Sequence, residues 1–187
     1  MTIKQGIAAL AASTLGFYGA VGLLSQATAQ HEKAAAAPGI TKAVALLTPT
    51  KGSDVKGRVT FTQSGHMIHV HAEISGLSPG EHGFHVHEFG VWSEDGMASG
   101  GHFNPTKAPH AGPDSTKRHV GDLGNVTANE KGVATLDLDD PHMSFHGAAS
   151  IIGRGLVVHE KIDDLKTQPT GNAGGRLAVG VIGVAKP

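Results

Sequence analysis

Seven side chains in this sequence have the types and spacing to bind metal ions. His85 and His87 stand two apart, so on a strand both imidazoles leave the same face and can hold one ion together. His102, His110, His119 and Asp122 follow at spacings of 8, 9 and 3. Three imidazoles and one carboxylate are the donor set of a closed tetrahedral zinc site. His159 ends a Val-rich run directly before a long polar stretch. Imidazole ligands without sulfur suit copper or zinc, and a nitrogen-rich tetragonal set favours copper(II). Spacing alone does not separate such ligands from solvated loop histidines.

The composition narrows the chemistry. Among 187 residues there are 13 histidines and no cysteine. Without cysteine the chain has no thiolate-ligated zinc, iron–sulfur cluster, covalent c-type haem, catalytic thiol, disulfide or cysteine-linked lipid. Fifteen basic residues against 16 acidic ones leave the chain nearly neutral, which argues against a long basic face for nucleic acid. Twenty-seven glycines and 4% aromatics indicate a loop-rich chain rather than a helical bundle.

The elements that must position the ligands begin after an N-terminal leader. Lys4 is the only charge in residues 1–29, an apolar stretch runs from Gly6 to Leu24, and Ala27-Thr28-Ala29 supplies small residues for a signal peptidase. Residues 1–29 therefore read as a secretory signal, with an uncleaved membrane anchor as the alternative. Residues 30–40 read as a tether, and residues 41–187 as one domain. Within it the period is two: Val59 and Phe61, then Ile68, Val70, Ala72 and Ile74, alternate with polar partners. Later strands are expected over Val133 to Leu138, Ile151 to His159 and Leu177 to Val184. About eight short strands without a convincing amphipathic helix predict an all-β, antiparallel sandwich or barrel. Two long connections, Gly90 to about Arg118 and Glu160 to Gly175, are expected to be functional. His69 and His71 share one strand face with Glu73; this reads as a solvated face, with an adventitious third metal site as the alternative. His82 is expected to hydrogen-bond backbone rather than bind metal.

The words around the histidines say more than their spacing. Gly83-Phe84-His85-Val86-His87-Glu88-Phe89-Gly90, His102-Phe103-Asn104-Pro105, Arg118-His119-Val120-Gly121-Asp122-Leu123-Gly124-Asn125-Val126, Val157-Val158-His159-Glu160 and Gly171-Asn172-Ala173-Gly174-Gly175-Arg176-Leu177 stand in that order. Together, over about residues 41–186, they closely resemble the copper/zinc superoxide dismutases, which implies an all-β, eight-stranded antiparallel Greek-key sandwich or barrel with two long functional loops. The resemblance implies that His85, His87 and His159 bind copper, that His102 bridges copper to zinc, and that His110, His119 and Asp122 complete the zinc site. It implies that Arg176 attracts the anionic substrate beside the copper and that Asp163 links a copper ligand to a zinc ligand. In such an enzyme copper(II) oxidises one superoxide to oxygen and copper(I) reduces a second to hydrogen peroxide, while the bridging histidine, here His102, takes up a proton. An antioxidant enzyme outside the cytoplasm, periplasmic or secreted, follows from the resemblance and the leader. Its partners would be superoxide and a second copy in a homodimer, with no nucleic acid and no stable membrane contact once the signal is cleaved. A copper carrier or a metal-stabilised scaffold would use similar ligands; the intact copper set and the presence of Arg176 favour the enzyme.

Two departures from the family stand out. Its usual disulfide would join positions occupied here by Gly96 and Val179, a staple of about 4 to 5 kcal/mol in the chain-entropy model. Trp92 and Met97, beside the vacated position, are expected to pin the loop instead. The short segment Asp163 to Gly171 lacks the acidic run of eukaryotic members and looks like the bacterial branch.

Overall fold

Alternation along the sequence becomes alternation of burial in the computed structural model, which describes residues 39–187. The expected signal segment and nearly all of the expected tether lie outside the described residues. In β1 (Lys42–Pro49) Ala43, Ala45 and Leu47 are buried, in β2 (Lys56–Ser64) Val59 and Phe61, and in β3 (Met67–Ser75) Ile68, Val70, Ala72 and Ile74. β4 (Gly80–His87) and β7 (Gly155–His159) are buried on both faces through most of their length, because loops cover the side that a barrel would otherwise turn to water. β5 (Asp122–Ala128), β6 (Val133–Asp140), β8 (Arg176–Val181) and β9 (Gly183–Val184) complete the set.

Every strand pairing is antiparallel, in the order β2-β3-β6-β5-β4-β7-β8-β1, and a β1–β2 pairing closes the circle; β9 adds to β1. This is the expected eight-stranded barrel with one short extra strand. The pairings of β3 with β6 and of β4 with β7, reached by the connections β3 to β4 and β6 to β7 that cross the barrel end, are its Greek-key signature. Phe61, Ile68, Ile74, Phe84, Leu156 and Ile182 fill the interior, each burial being worth about 1.5 to 3 kcal/mol. Among the described residues no helix is long and apolar enough to cross a membrane.

Three strand boundaries differ from expectation. The strand expected from Ile151 starts only at Gly155, the Val133 strand runs on to Asp140, and the last strand starts at Arg176 and breaks at Ile182. The break has a cause: Ile182 exchanges backbone hydrogen bonds with the turn before β7, donating to Arg154 O at 2.9 Å and accepting from Gly153 N at 2.8 Å. The second long connection falls at residues 160–175 as expected, and the first spans residues 88–121 around a 3-10 segment, Glu94–Ser99.

Candidate metal centre

The two long connections fold onto the β4 and β7 end of the barrel. His85 and His87 project together from β4, and His159 sits at the end of β7, which pairs with β4 through Phe84↔Val158. A short backbone ladder brings His102 beside them: Phe103 N donates to Val86 O at 2.8 Å, Val86 N to Gly121 O at 2.9 Å, and Gly121 N to Phe103 O at 2.9 Å. Gly121 closes the turn before β5, which starts at Asp122.

The seven residues meet as two buried clusters that share His102: His85, His87, His102 and His159, and His102, His110, His119 and Asp122. In each, one donor atom per residue lies within 4.8 Å of the others. On one side three Nδ1 atoms converge on Asp122 Oδ1, from His102 at 2.8 Å, His110 at 3.0 Å and His119 at 3.2 Å, the last off the hydrogen-bond axis. Asp122 Oδ2 is fixed by the backbone N–H groups of Ala111 and His119, at 3.1 and 3.0 Å.

The other cluster has the donor set for a cation. His87 Nδ1 lies 2.9 Å from Gly100 O and His159 Nδ1 lies 3.3 Å from Gly174 O. Only an N–H can face a carbonyl, so the two Nε2 atoms carry lone pairs, and these face each other at 3.2 Å. His85 donates its Nε2–H to Asp163 Oδ2 at 2.8 Å, leaving Nδ1 bare, and the buried His85 Nδ1 and His102 Nε2 have no hydrogen-bond partner. Four uncharged ring nitrogens aimed at one another without protons between them fit a transition-metal ion and little else.

Burial holds His85 below its ordinary pKa against the pull of Asp163, pushes His87 and His159 well below it, and lowers His102 to about 4. For His110 burial also opposes the charged form, but bonds to Asp122 and Asp163 outweigh it and raise the pKa to about 9. Burial works against the carboxylates of Asp122 and Asp163 too, yet their imidazole bonds hold both below the usual range. Asp163 spans the clusters, accepting from His85 through Oδ2 and from His110 Nε2 through Oδ1 at 2.9 Å. A side chain at Gly171 would put its Cβ 1.7 Å from that Oδ1, so the close approach demands glycine there, at φ +66°.

Arg176 opens β8 and pairs with His159 across a register shift. Its guanidinium donates to Gly96 O, to Ser99 Oγ at 2.7 Å and to Gly100 O at 2.6 Å. Gly100 O is also the partner of His87 Nδ1, so one carbonyl sets both side chains. Gly96 lies against Val179 so closely that a Cβ added to it would sit 2.4 Å from Val179 Cγ2. The family's stapled positions therefore meet here by packing. Trp92 and Met97, expected to pin the loop, are 45% and 63% exposed. The loop is held instead by the Gly96–Val179 contact, the Arg176 bonds and Asp95 Oδ1, which accepts from Lys51 N at 3.1 Å.

Amide side chains, which sequence reasoning missed, tie the loops together. Gln168 accepts from His110 N and donates to His110 O, both at 2.8 Å. Asn125 does the same for Asp163, at 2.8 and 2.9 Å. Each imitates a strand partner for one residue of loop backbone, and no local pattern announces it. Gln168→Ala is expected to cost about 1 to 2 kcal/mol, two hydrogen bonds' worth, and to speed loss to a chelator of a metal ion held by the Asp122 cluster, while one held by the other cluster stays. Time courses of metal release from wild type and variant check this. His82, as expected, bonds backbone: its Nδ1 donates to His159 O at 2.9 Å.

Comparison with known proteins agrees with this architecture. Residues 55–182 match the family described as copper/zinc superoxide dismutase. The extracellular superoxide dismutase [Cu-Zn] of Drosophila melanogaster is 47% identical over 154 residues, covering 76% of this chain and 85% of that one. The protein of the same name from Caenorhabditis elegans is 42% identical over 153 residues, covering 79% and 68%. A crystal structure of the clock protein EA4 superposes with a TM-score of 0.73 at 46% identity, over 78% of this chain and 95% of the other. A closed Greek-key barrel carrying two histidine clusters that meet at one ring, matched by the family over most of that barrel, places this chain in the copper/zinc superoxide dismutases, oxidoreductases that use both metals to remove superoxide.

Proposed function

We propose that His85, His87, His102 and His159 hold copper, that His102, His110, His119 and Asp122 hold zinc, and that His102 is the ring shared between them. The observation that carries this is the set of bare, buried ring nitrogens: His85 Nδ1 and His102 Nε2 without partners, and His87 Nε2 facing His159 Nε2. Bound copper would supply the one-electron exchange that turns two superoxide ions and two protons into oxygen and hydrogen peroxide, whereas zinc has no accessible redox couple. The protein's own groups do the rest. Asp122 and Asp163 orient the imidazoles and set their tautomers. His102 Nε2, whenever its lone pair is not engaged by the metal, is the atom that would hold a proton for the peroxide product. A guanidinium carries five N–H donors; three contacts of Arg176 go to the loop, and the remaining donors serve a small anion. Because the chain is slightly negative overall, this local positive charge is what draws superoxide in.

The leader composition and the extracellular relatives support an exported enzyme, periplasmic or secreted. Phe89, Val91, Val181 and Val184 are exposed apolar side chains, and Gly90 packs against Val181. This surface is proposed to join two copies.

The test is metal quantitation, electron paramagnetic resonance and sedimentation on one purified sample. One copper and one zinc per chain are expected, with a nitrogen-ligated copper signal that His87→Ala alters and His119→Ala largely preserves. A copper signal indifferent to His87→Ala would overturn the copper assignment, and sedimentation as a monomer would overturn the homodimer.

A further inference from the structure

The wall of the barrel formed by β2, β3 and β6 stands apart from the metal centre, which hangs on β4, β5, β7 and their loops. On its outer face His69 and His71, two apart on β3, stand directly opposite Asp139 and Asp137 on β6. His69 Nδ1 lies 2.8 Å from Asp139 Oδ1, and His71 Nδ1 lies 2.8 Å from Asp137 Oδ1. A second nitrogen, His69 Nε2, approaches that same Asp137 oxygen at 3.4 Å. Thr60 and Thr62 of β2 flank the two histidines on the other side.

The tautomer logic of the buried centre applies to this exposed ladder. A carboxylate beside His69 Nδ1 calls for an N–H there, so neutral His69 turns its Nε2 lone pair toward the Asp137 oxygen. Two acceptors then face each other at 3.4 Å, a gap that only a cation or a proton makes favourable. A separation of about 3.4 Å is also the edge of a tetrahedron with bonds of about 2.0 to 2.1 Å, the zinc range for nitrogen and oxygen ligands. His71 donates its Nδ1–H to the same oxygen, so its bare nitrogen is Nε2, and both rings are about two-fifths exposed. Exposure lets both rings reorient to surround one ion, a step the two buried clusters do not need because their donor atoms already lie within 4.8 Å of one another. Asp139, on the far nitrogen of His69, supplies the carboxylate that orients a metal-binding imidazole.

We propose that His69, His71 and Asp137 form a third, exposed site for a divalent transition-metal ion of the zinc type. Asp139 orients His69, and water fills the open position. Two imidazoles, one carboxylate and an open position make an exchangeable site, in contrast to the closed set around Asp122. A metal ion can therefore load and leave here without disturbing the buried pair.

Calorimetric titration of the copper- and zinc-replete full chain with zinc chloride tests this. One further equivalent of zinc is expected to bind. His71→Ala and Asp137→Asn should each weaken it at least tenfold, with dismutation unchanged. Asp139→Asn should weaken it less and keep the stoichiometry. Circular dichroism confirms that each variant is folded, which exposed positions on one barrel face make the expected outcome. No further equivalent, or one that survives unchanged in both His71→Ala and Asp137→Asn, overturns the proposal; the second result would move the binding to other histidines.

Discussion

His159→Ala should lower superoxide dismutation by at least a hundredfold while leaving the barrel intact. Removing a partner that merely orients a metal ligand costs about 10- to 100-fold, and this substitution removes one of the four proposed copper ligands outright. The frame around it does not depend on the ring. His82 bonds the backbone carbonyl of residue 159 rather than its imidazole, and β7 keeps its pairing with β4 and β8. In the metal-free protein the substitution also removes one of two lone pairs facing each other at 3.2 Å. Metal-free wild type and variant should therefore melt within about 2 °C of each other, because losing that repulsion counters the loss of packing. The rise in melting temperature on adding copper should largely vanish. An assay of dismutation with paired melting curves, with and without copper, reads all three. A variant with wild-type turnover would remove His159 from the copper set.

The largest effect on stability is expected at Asp140, which is not itself among the proposed metal ligands. Arg118 and Asp140 are both buried and pair through Arg118 Nη2 and Asp140 Oδ2 at 2.5 Å. The arginine also donates to Pro113 O at 3.1 Å and to His119 O at 2.9 Å, and Asp140 Oδ1 accepts from the N–H groups of His142 and Met143 at 2.7 and 2.8 Å. Asp140→Ala leaves a buried guanidinium without its counter-ion and two backbone donors without an acceptor. Breaking one side of such a pair costs about 3 to 5 kcal/mol, or about 10 °C in a domain of this size. Because the same arginine holds the His119 carbonyl, zinc should also leave faster. Asp140→Asn, which keeps an oxygen for the backbone donors, should lose less. Thermal melts of the metal-replete variants, with zinc release followed by a chromogenic chelator, check the ranking. Equal melting of Asp140→Ala and wild type would show that the pair contributes nothing.

The strands and the ligand residues were legible for one reason. Both rest on short-range regularities: the period of two in Ile68, Val70, Ala72 and Ile74, and the fixed words around His85, His102, His119 and His159. What escaped reading is long-range or made of backbone. Nothing near Gln168 tells that its amide closes on His110, 58 positions away. Gly100 carries no side chain, yet its carbonyl holds both His87 and Arg176. Arg118 stands inside a recognisable motif, but its partner Asp140 belongs to another strand end. Trp92 misled because a large apolar residue near a missing staple suggests a plug, whereas the plug is a valine meeting a glycine. The outward face of β3 showed two histidines and a glutamate; the opposing carboxylates came into view only with the β3–β6 register.

The Gly96–Val179 seam also constrains how the chain can change over generations. A cysteine at 96 alone would drive its Cβ to 2.4 Å from Val179 Cγ2, on a backbone at φ +82° that favours glycine. A small residue at 179 alone would open a void beside a fully buried position, at a cost of about 1 kcal/mol or more. The two sites are thus coupled: a smaller residue at 179 would relieve the clash of a cysteine at 96, though not the strain of its positive φ. A disulfide between 96 and 179 is therefore reached by single substitutions only through a less stable intermediate.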